Sequence, residues 1–165
     1  MKITLPDNSL RELPEGSSGY DLAKDIGPGL AKSAVAVTIN GIQKDLHDVI
    51  EGDVSASIIT IDSDEGIEIM RHTLTAQVLA RAVKNIYPNS KLAIGPTIED
   101  GFYYDVETEE AISIDDLKKI EDEMIKIVKT KSSITKKLVS KEEALEIFKS
   151  PIEPYNEGII DESEP

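Results

Sequence analysis

Hydrophobic positions along this 165-residue chain change their period several times. Ile3 and Leu5 alternate with polar neighbours, which predicts a short strand over residues 2–5. Pro6-Asp7-Asn8-Ser9 reads as a turn, because Pro presets φ while Asp and Asn bond their own backbone. Residues 10–13 return as the second arm of a hairpin. Ser18 with Asp21 three residues on has the form of a capping box, with Asp in place of Glu. It opens a helix carrying Tyr20, Leu22, Ala23 and Ile26, which Gly27-Pro28-Gly29 is expected to end. Small and β-branched residues over 34–39 predict a strand, and Asn40-Gly41 is a strong turn signal. Residues 43–49 read as polar and irregular, and 54–61 as a final strand. The order is β-β-α-β-β.

The pattern then changes. Residues 67–87 have helix-forming composition and stop at Pro88. Residues 92–94 and 102–106 read as strands around a turn region from Gly95-Pro96 to Gly101. Ser113 caps a helix whose apolar positions are Leu117, Ile120, Met124, Ile127 and Val128, one stripe at helical spacing. Residues 134–139 alternate weakly, as a strand would. Ser140 and Glu143 form a capping box for a short helix through Phe148. The fold class expected from this order is α+β.

The polar stretch Asp62-Ser63-Asp64-Glu65-Gly66 lies between the two patterns. It buries no apolar surface, so it reads as a linker and helix start. The expected domains are therefore 1–62 and 63–165. The formal net charge is −14, which argues against broad, non-specific nucleic-acid binding. Cysteine is absent and there are two histidines, His47 and His72. A disulfide scaffold, a Cys nucleophile and a Cys- or multi-His metal site are thereby excluded, and no metal site is expected. No apolar run approaches the ~20 residues of a membrane span, so a cytoplasmic protein without membrane attachment is expected. No phosphate-binding Gly-x-x-x-x-Gly-Lys-Ser/Thr or Gly-x-Gly-x-x-Gly loop is present, and no Gly-x-Ser-x-Gly.

The specific part of the sequence is residues 70–107. Arg71-His72-Thr73-Leu74-Thr75-Ala76-Gln77-Val78-Leu79-Ala80 leads to Tyr87-Pro88. Lys91-Leu92-Ala93-Ile94-Gly95-Pro96 and Ile98-Glu99-Asp100-Gly101-Phe102-Tyr103-Tyr104-Asp105 follow. These segments resemble the second N-terminal domain of bacterial threonyl-tRNA synthetase, a relative of the alanyl-tRNA synthetase editing domain. In that family a ubiquitin-like β-grasp module, the TGS domain, comes first, and the β-β-α-β-β reading of 1–62 is similar to it. The resemblance covers essentially the whole chain, with the second domain truncated at its C-terminal end.

What the resemblance implies is an editing domain that hydrolyses serine wrongly attached to threonine tRNA. The family uses a His-x-x-x-His pair before the Tyr-Pro, because i and i+4 place both imidazoles on one helical face, where they position water against an ester. Here one extra residue lies between the anchors. His72 falls on the first His, Gln77 on the second, and Thr73 is four before Gln77. On an α-helix His72 and Gln77 diverge by ~140°. Tyr104 completes the candidate pocket, and Asn156 follows Tyr155 where the family has Lys. No catalytic residue is assigned; His72, Thr73, Gln77, Tyr104 and Asn156 outline a degenerate editing pocket. Read for themselves, His72 is equally an ordinary helix residue, one of Tyr103 and Tyr104 is core, His47 is a surface loop residue, and Glu99 and Asp100 are turn residues.

One segment runs against the net charge. Lys126, Lys129, Lys131, Lys136, Lys137 and Lys141 fall between Met124 and Lys141 with no acid among them. Read alone they are a solvated helix end; with the resemblance they are candidate nucleic-acid contacts. The implied function is the N-terminal part of a threonine–tRNA ligase that contacts the acceptor arm of threonine tRNA. The parent enzyme would use ATP, Mg and Zn and dimerise in a ligase core not seen here, while this portion needs no cofactor and is expected to be inactive alone. A free-standing tRNA-binding or regulatory module, and a trans-editing deacylase, are the alternatives.

Overall fold

The computed structural model describes residues 1–93 and 95–148. The chain divides into two units, one of Met1–Met70 and one that begins at Arg71.

In the first unit β1 (Lys2–Thr4) and β2 (Leu10–Glu12) form the expected hairpin, with Ile3 opposite Arg11. Its turn is held by Asp7, whose carboxylate accepts the Ser9 N–H at 2.9 Å and the Ser9 hydroxyl at 2.6 Å. α1 (Gly19–Ile26) starts on the predicted box: the Ser18 side chain accepts the Asp21 N–H, and the Asp21 carboxylate accepts the Ser18 N–H at 2.8 Å. β3 (Ala34–Ile39), β4 (Ile42–Asp45) and β5 (Val54–Thr60) complete a five-stranded sheet of order β2-β1-β5-β3-β4. Only β1 and β5 pair in parallel, and α1 lies within the long connection that this pairing requires. Leu22 of α1 is buried with Ile3, Val37, Ile39, Ile50 and Ala56 in one core. Each such Leu or Ile contributes about 1.5–3 kcal/mol by leaving water.

Three expectations for this unit need correction. Residues 43–49 are not all irregular: β4 pairs with β3 through a two-residue Asn40-Gly41 turn with φ of 50° and 82°. All four β4 residues are exposed, so this edge strand has no apolar alternation to reveal it. Gly27-Pro28-Gly29 ends α1 but also begins a second helix, α2 (Pro28–Ser33), with Pro28 in the first turn, where a missing N–H costs nothing. The stretch 62–66 is not a linker. It enters α3 (Asp64–Thr73), with the Ser63 hydroxyl accepting the Gly66 N–H at 3.1 Å and donating to the Thr60 carbonyl at 2.8 Å.

In the second unit a π-helical stretch, Leu74–Leu79, precedes α4 (Ala80–Ile86). β6 (Lys91–Leu92) pairs with β9 (Val106–Glu107), and β7 (Thr97–Ile98) with β8 (Gly101–Phe102), both antiparallel. The expected strand over 102–106 is thus split between two small sheets. α5 (Ile114–Lys129) begins on a Ser113–Asp116 capping box and packs on α4. Ala82, Val83, Leu92 and Ile120 form the buried core, with Met124, Ile127 and Tyr104 packed at its margin. The predicted α5 stripe is split: Leu117 and Val128 are each 57% exposed. Residues 134–139 form no strand; Ile134 and Leu138 are exposed, with no neighbour to pair with among the described residues. α6 (Lys141–Phe148) follows, opened by the expected Ser140 hydroxyl, which accepts the Glu143 N–H at 3.1 Å.

Candidate functional site

The three segments singled out in the sequence meet within the second unit. Arg71 reaches from the helix to the β7–β8 turn, donating from Nη1 to the carbonyls of Ile98 and Glu99. One turn on, Thr75 is 1% exposed, and its hydroxyl donates to the Arg71 carbonyl at 2.8 Å. Gly95 fits between Thr75 and Tyr104. A Cβ there would stand 2.8 Å from the Thr75 methyl and 2.6 Å from Cε2 of the Tyr104 ring, closer than side chains pack, so only glycine lets the three approach without displacement. Tyr104 therefore belongs to the margin of the core, while Tyr103 is 62% exposed.

The π-helical stretch, Leu74–Leu79, lies within the segment that links His72 to Ala80. The Ala80 N–H bonds the Thr75 carbonyl, five residues back instead of four. Such a turn holds one more residue than an α-turn, and π-bulges are frequent at functional sites. The expected ~140° between His72 and Gln77 assumed 3.6 residues per turn throughout, and Gln77 lies within the π-helical stretch while His72 lies in the α-helix before it. His72, Ala76 and Gln77 are all exposed, Thr73 is half-buried, and Thr75 points its methyl the other way, onto Gly95. The helix thus presents an imidazole and a carboxamide to solvent while its opposite side carries the Arg71–Thr75–Gly95–Tyr104 contacts. The imidazole has one nitrogen that can act as a base, whereas the carboxamide can only donate or accept hydrogen bonds.

Asn156 lies outside the described residues, so the fifth pocket candidate has no placement. Among the described residues no group of three or more His, Cys, Asp or Glu is arranged to hold a metal ion. No described helix is long and apolar enough to cross a membrane. His47 is an exposed loop residue whose ring stands 5.5 Å from that of Tyr20.

The lysine segment begins on the last turns of α5 and continues through exposed coil. Lys126 pairs with Glu123 at 3.0 Å and Lys137 with Glu143 at 2.7 Å. Both acids lie outside the acid-free stretch: Glu123 is the i−3 neighbour of Lys126 on the same helix, while Glu143 reaches Lys137 from the start of α6. Lys129 and Lys131 flank Thr130, where the helix ends; Lys131 has φ of 52°. At the other end of α5 the Lys119 ammonium, then the Ser113 hydroxyl and N–H, hold the Asp116 carboxyl well below the usual aspartate range.

Ser90 is a residue that sequence reasoning passed over. It is 1% exposed, and its hydroxyl has no hydrogen-bond partner among the described residues. It borders a cleft of 270 Å³ with Tyr87, Pro88, Thr108 and Glu109. Asn89 and Glu109 bridge the cleft's two loops at 3.1 Å. Nothing in the local sequence marks this serine, because its burial comes from chain segments twenty residues apart.

The first unit has a counterpart among known families: residues 1–60 match the family model of the TGS domain, and this part of the chain is a TGS domain.

Proposed function

We propose that this chain is the N-terminal region of a threonine–tRNA ligase, a TGS domain followed by an editing-type domain that contacts the tRNA acceptor arm. The observation that carries the reading is the convergence of the quoted segments: Arg71 on Ile98 and Glu99, and Thr75 on Gly95 beside Tyr104. Residues that resemble one family's motifs meet at one place, immediately after a TGS domain. The ligase chemistry, with its ATP, Mg and Zn and its dimer contacts, belongs on this reading to a core that these 165 residues do not resemble.

The exposed face of His72 and Gln77 is the remnant of the editing pocket. An imidazole and a carboxamide can each hold a water or an ester carbonyl by hydrogen bonds. Gln77 can only donate or accept hydrogen bonds, so His72 is left as the single imidazole where the family resembled uses two. One imidazole without its partner, and without the family's Lys at position 156, supports binding of an aminoacyl-tRNA end better than its rapid hydrolysis. The domain therefore serves as a tRNA contact whose editing site is degenerate, rather than as a trans-editing deacylase.

The test is deacylation of seryl-tRNA by this chain. No rate above buffer is expected, and Gln77→His should not restore full activity while Asn156 stands in place of Lys. A clear rate that His72→Ala abolishes would establish the deacylase instead. Absence of both hydrolysis and tRNA binding would favour a regulatory module.

A further inference from the structure

We infer that the phosphate contact within the lysine segment is the turn that ends α5, through Lys129 and Lys131, and not Lys126 or Lys137. The inference rests on the tRNA reading above and narrows it to two residues. All six lysines are equivalent in sequence. The fold separates them by what stands beside each ammonium group.

Lys126 Nζ lies 3.0 Å from a Glu123 carboxylate oxygen, and Lys137 Nζ lies 2.7 Å from Glu143. A phosphate that approaches either ammonium meets a carboxylate at the same distance. It must displace that partner or tolerate its repulsion, so the local charge it sees is close to zero. Lys136 and Lys141 are engaged as well. Lys129 and Lys131 are exposed and form no ion pair among the described residues, so each presents a whole positive charge.

The backbone at this point removes an obstacle. The C-terminal end of a helix carries free carbonyls and partial negative charge, which would repel phosphate. Here the Thr130 N–H bonds the Ile127 carbonyl at 3.1 Å, the Lys131 N–H bonds Val128 at 3.1 Å, and the Thr130 hydroxyl donates to Ile127 at 2.7 Å. The last turn's carbonyls are thus partly satisfied from within. The chain that follows to Lys141 contains no acid. Two unpaired ammonium groups beside a capped helix end suit the phosphates of a nucleic-acid backbone better than any other part of this segment.

The experiment measures binding of the whole chain to a threonine tRNA transcript over a range of salt concentrations. It compares wild type, the double variant Lys129→Gln with Lys131→Gln, and the double variant Lys126→Gln with Lys137→Gln. Each phosphate neutralised contributes ~0.9 to the slope of log K against log salt, so losing two should flatten it by about 1.8 and weaken binding roughly 10²-fold at 50 mM salt. The second double variant should leave slope and affinity nearly unchanged. Circular dichroism checks that both keep their helix content, as exposed lysines allow. An equal or larger loss in the Lys126/Lys137 variant overturns the inference and leaves the tRNA reading standing. Wild type that binds no tRNA at low salt overturns both. Binding to vesicles of phosphatidylserine and phosphatidylcholine with the same variant pattern, and none to tRNA, assigns the turn to an anionic membrane surface and likewise overturns both.

Discussion

Gly66 packs its α-carbon against the backbone of Thr60: a Cβ at Gly66 would stand 2.7 Å from the Thr60 carbonyl carbon. The end of β5 and the first turn of α3 are thereby fixed to each other. The same Thr60 carbonyl accepts the Ser63 N–H at 3.0 Å and the Ser63 hydroxyl at 2.8 Å. This short connection is a folded corner.

Gly66→Ala should therefore destabilise the protein, although alanine is the better helix former by about 1 kcal/mol. The obstacle is backbone, which cannot rotate aside, so a net loss of roughly 2 kcal/mol or more is expected. Urea unfolding followed by far-ultraviolet circular dichroism measures it. A gain in stability would mean that the corner is loose in solution.

Gly95→Ala should cost roughly 1–3 kcal/mol, the usual range for an extra methyl forced into a packed site. The groups in its way are the Thr75 methyl and the Tyr104 ring. Thr75→Ser removes that methyl and keeps the hydroxyl that bonds Arg71. The double variant should accordingly lose less than the two single losses added together, a coupling of the kind that adjoining residues show. Simple additivity would separate Gly95 from Thr75.

Lys131→Gly should raise stability by about 1 kcal/mol. Lys131 stands just past a helix end with φ of 52°, a conformation that costs a residue with a Cβ roughly 1–2 kcal/mol and glycine little. The same change should weaken tRNA binding, because it removes one of the two proposed contacts. Thermal unfolding and tRNA affinity should thus move in opposite directions, and a parallel fall in both would contradict the proposed division of roles.

Acid should loosen α5 through Asp116. Its folded pKa is lowered from the ordinary 3.8, chiefly by the Lys119 ammonium and then by Ser113. A lowered folded pKa stabilises above the unfolded value and loses that contribution as pH falls below it. Asp21 is lowered in the same direction by the Ser18 N–H and hydroxyl. Asp116→Asn should reduce stability near neutral pH and flatten its decline below pH 3.8. Helicity recorded across an acid titration checks the shape of that curve.

Local signals were legible in the chain itself. The box at Ser18, the cap at Ser113, the Asn40-Gly41 turn and the helix stop before Pro88 each depend on residues within a few positions of one another. Hydrogen-bond geometry at that range is set by residue type, so the TGS part could be outlined before any contact was seen. The motif segments of residues 70–107 were legible as a resemblance, but their mutual contacts were not.

Tertiary structure decided the rest. β4 exists because β3 offers its edge, and its own exposed side chains do not mark it. Residues 134–139 alternate weakly yet form no strand, since a strand needs a partner as well as a pattern. The π-helical stretch at Leu74–Leu79 was not legible either, because a helical pattern does not show how many residues each turn takes; it lies beside Arg71 and Thr75, which the β7–β8 turn and Gly95 contact. The lysines divide in the same way. Sequence set six lysines with no acid among them; helical spacing alone places Glu123 beside Lys126, but only the chain's path into α6 brings Glu143 to Lys137.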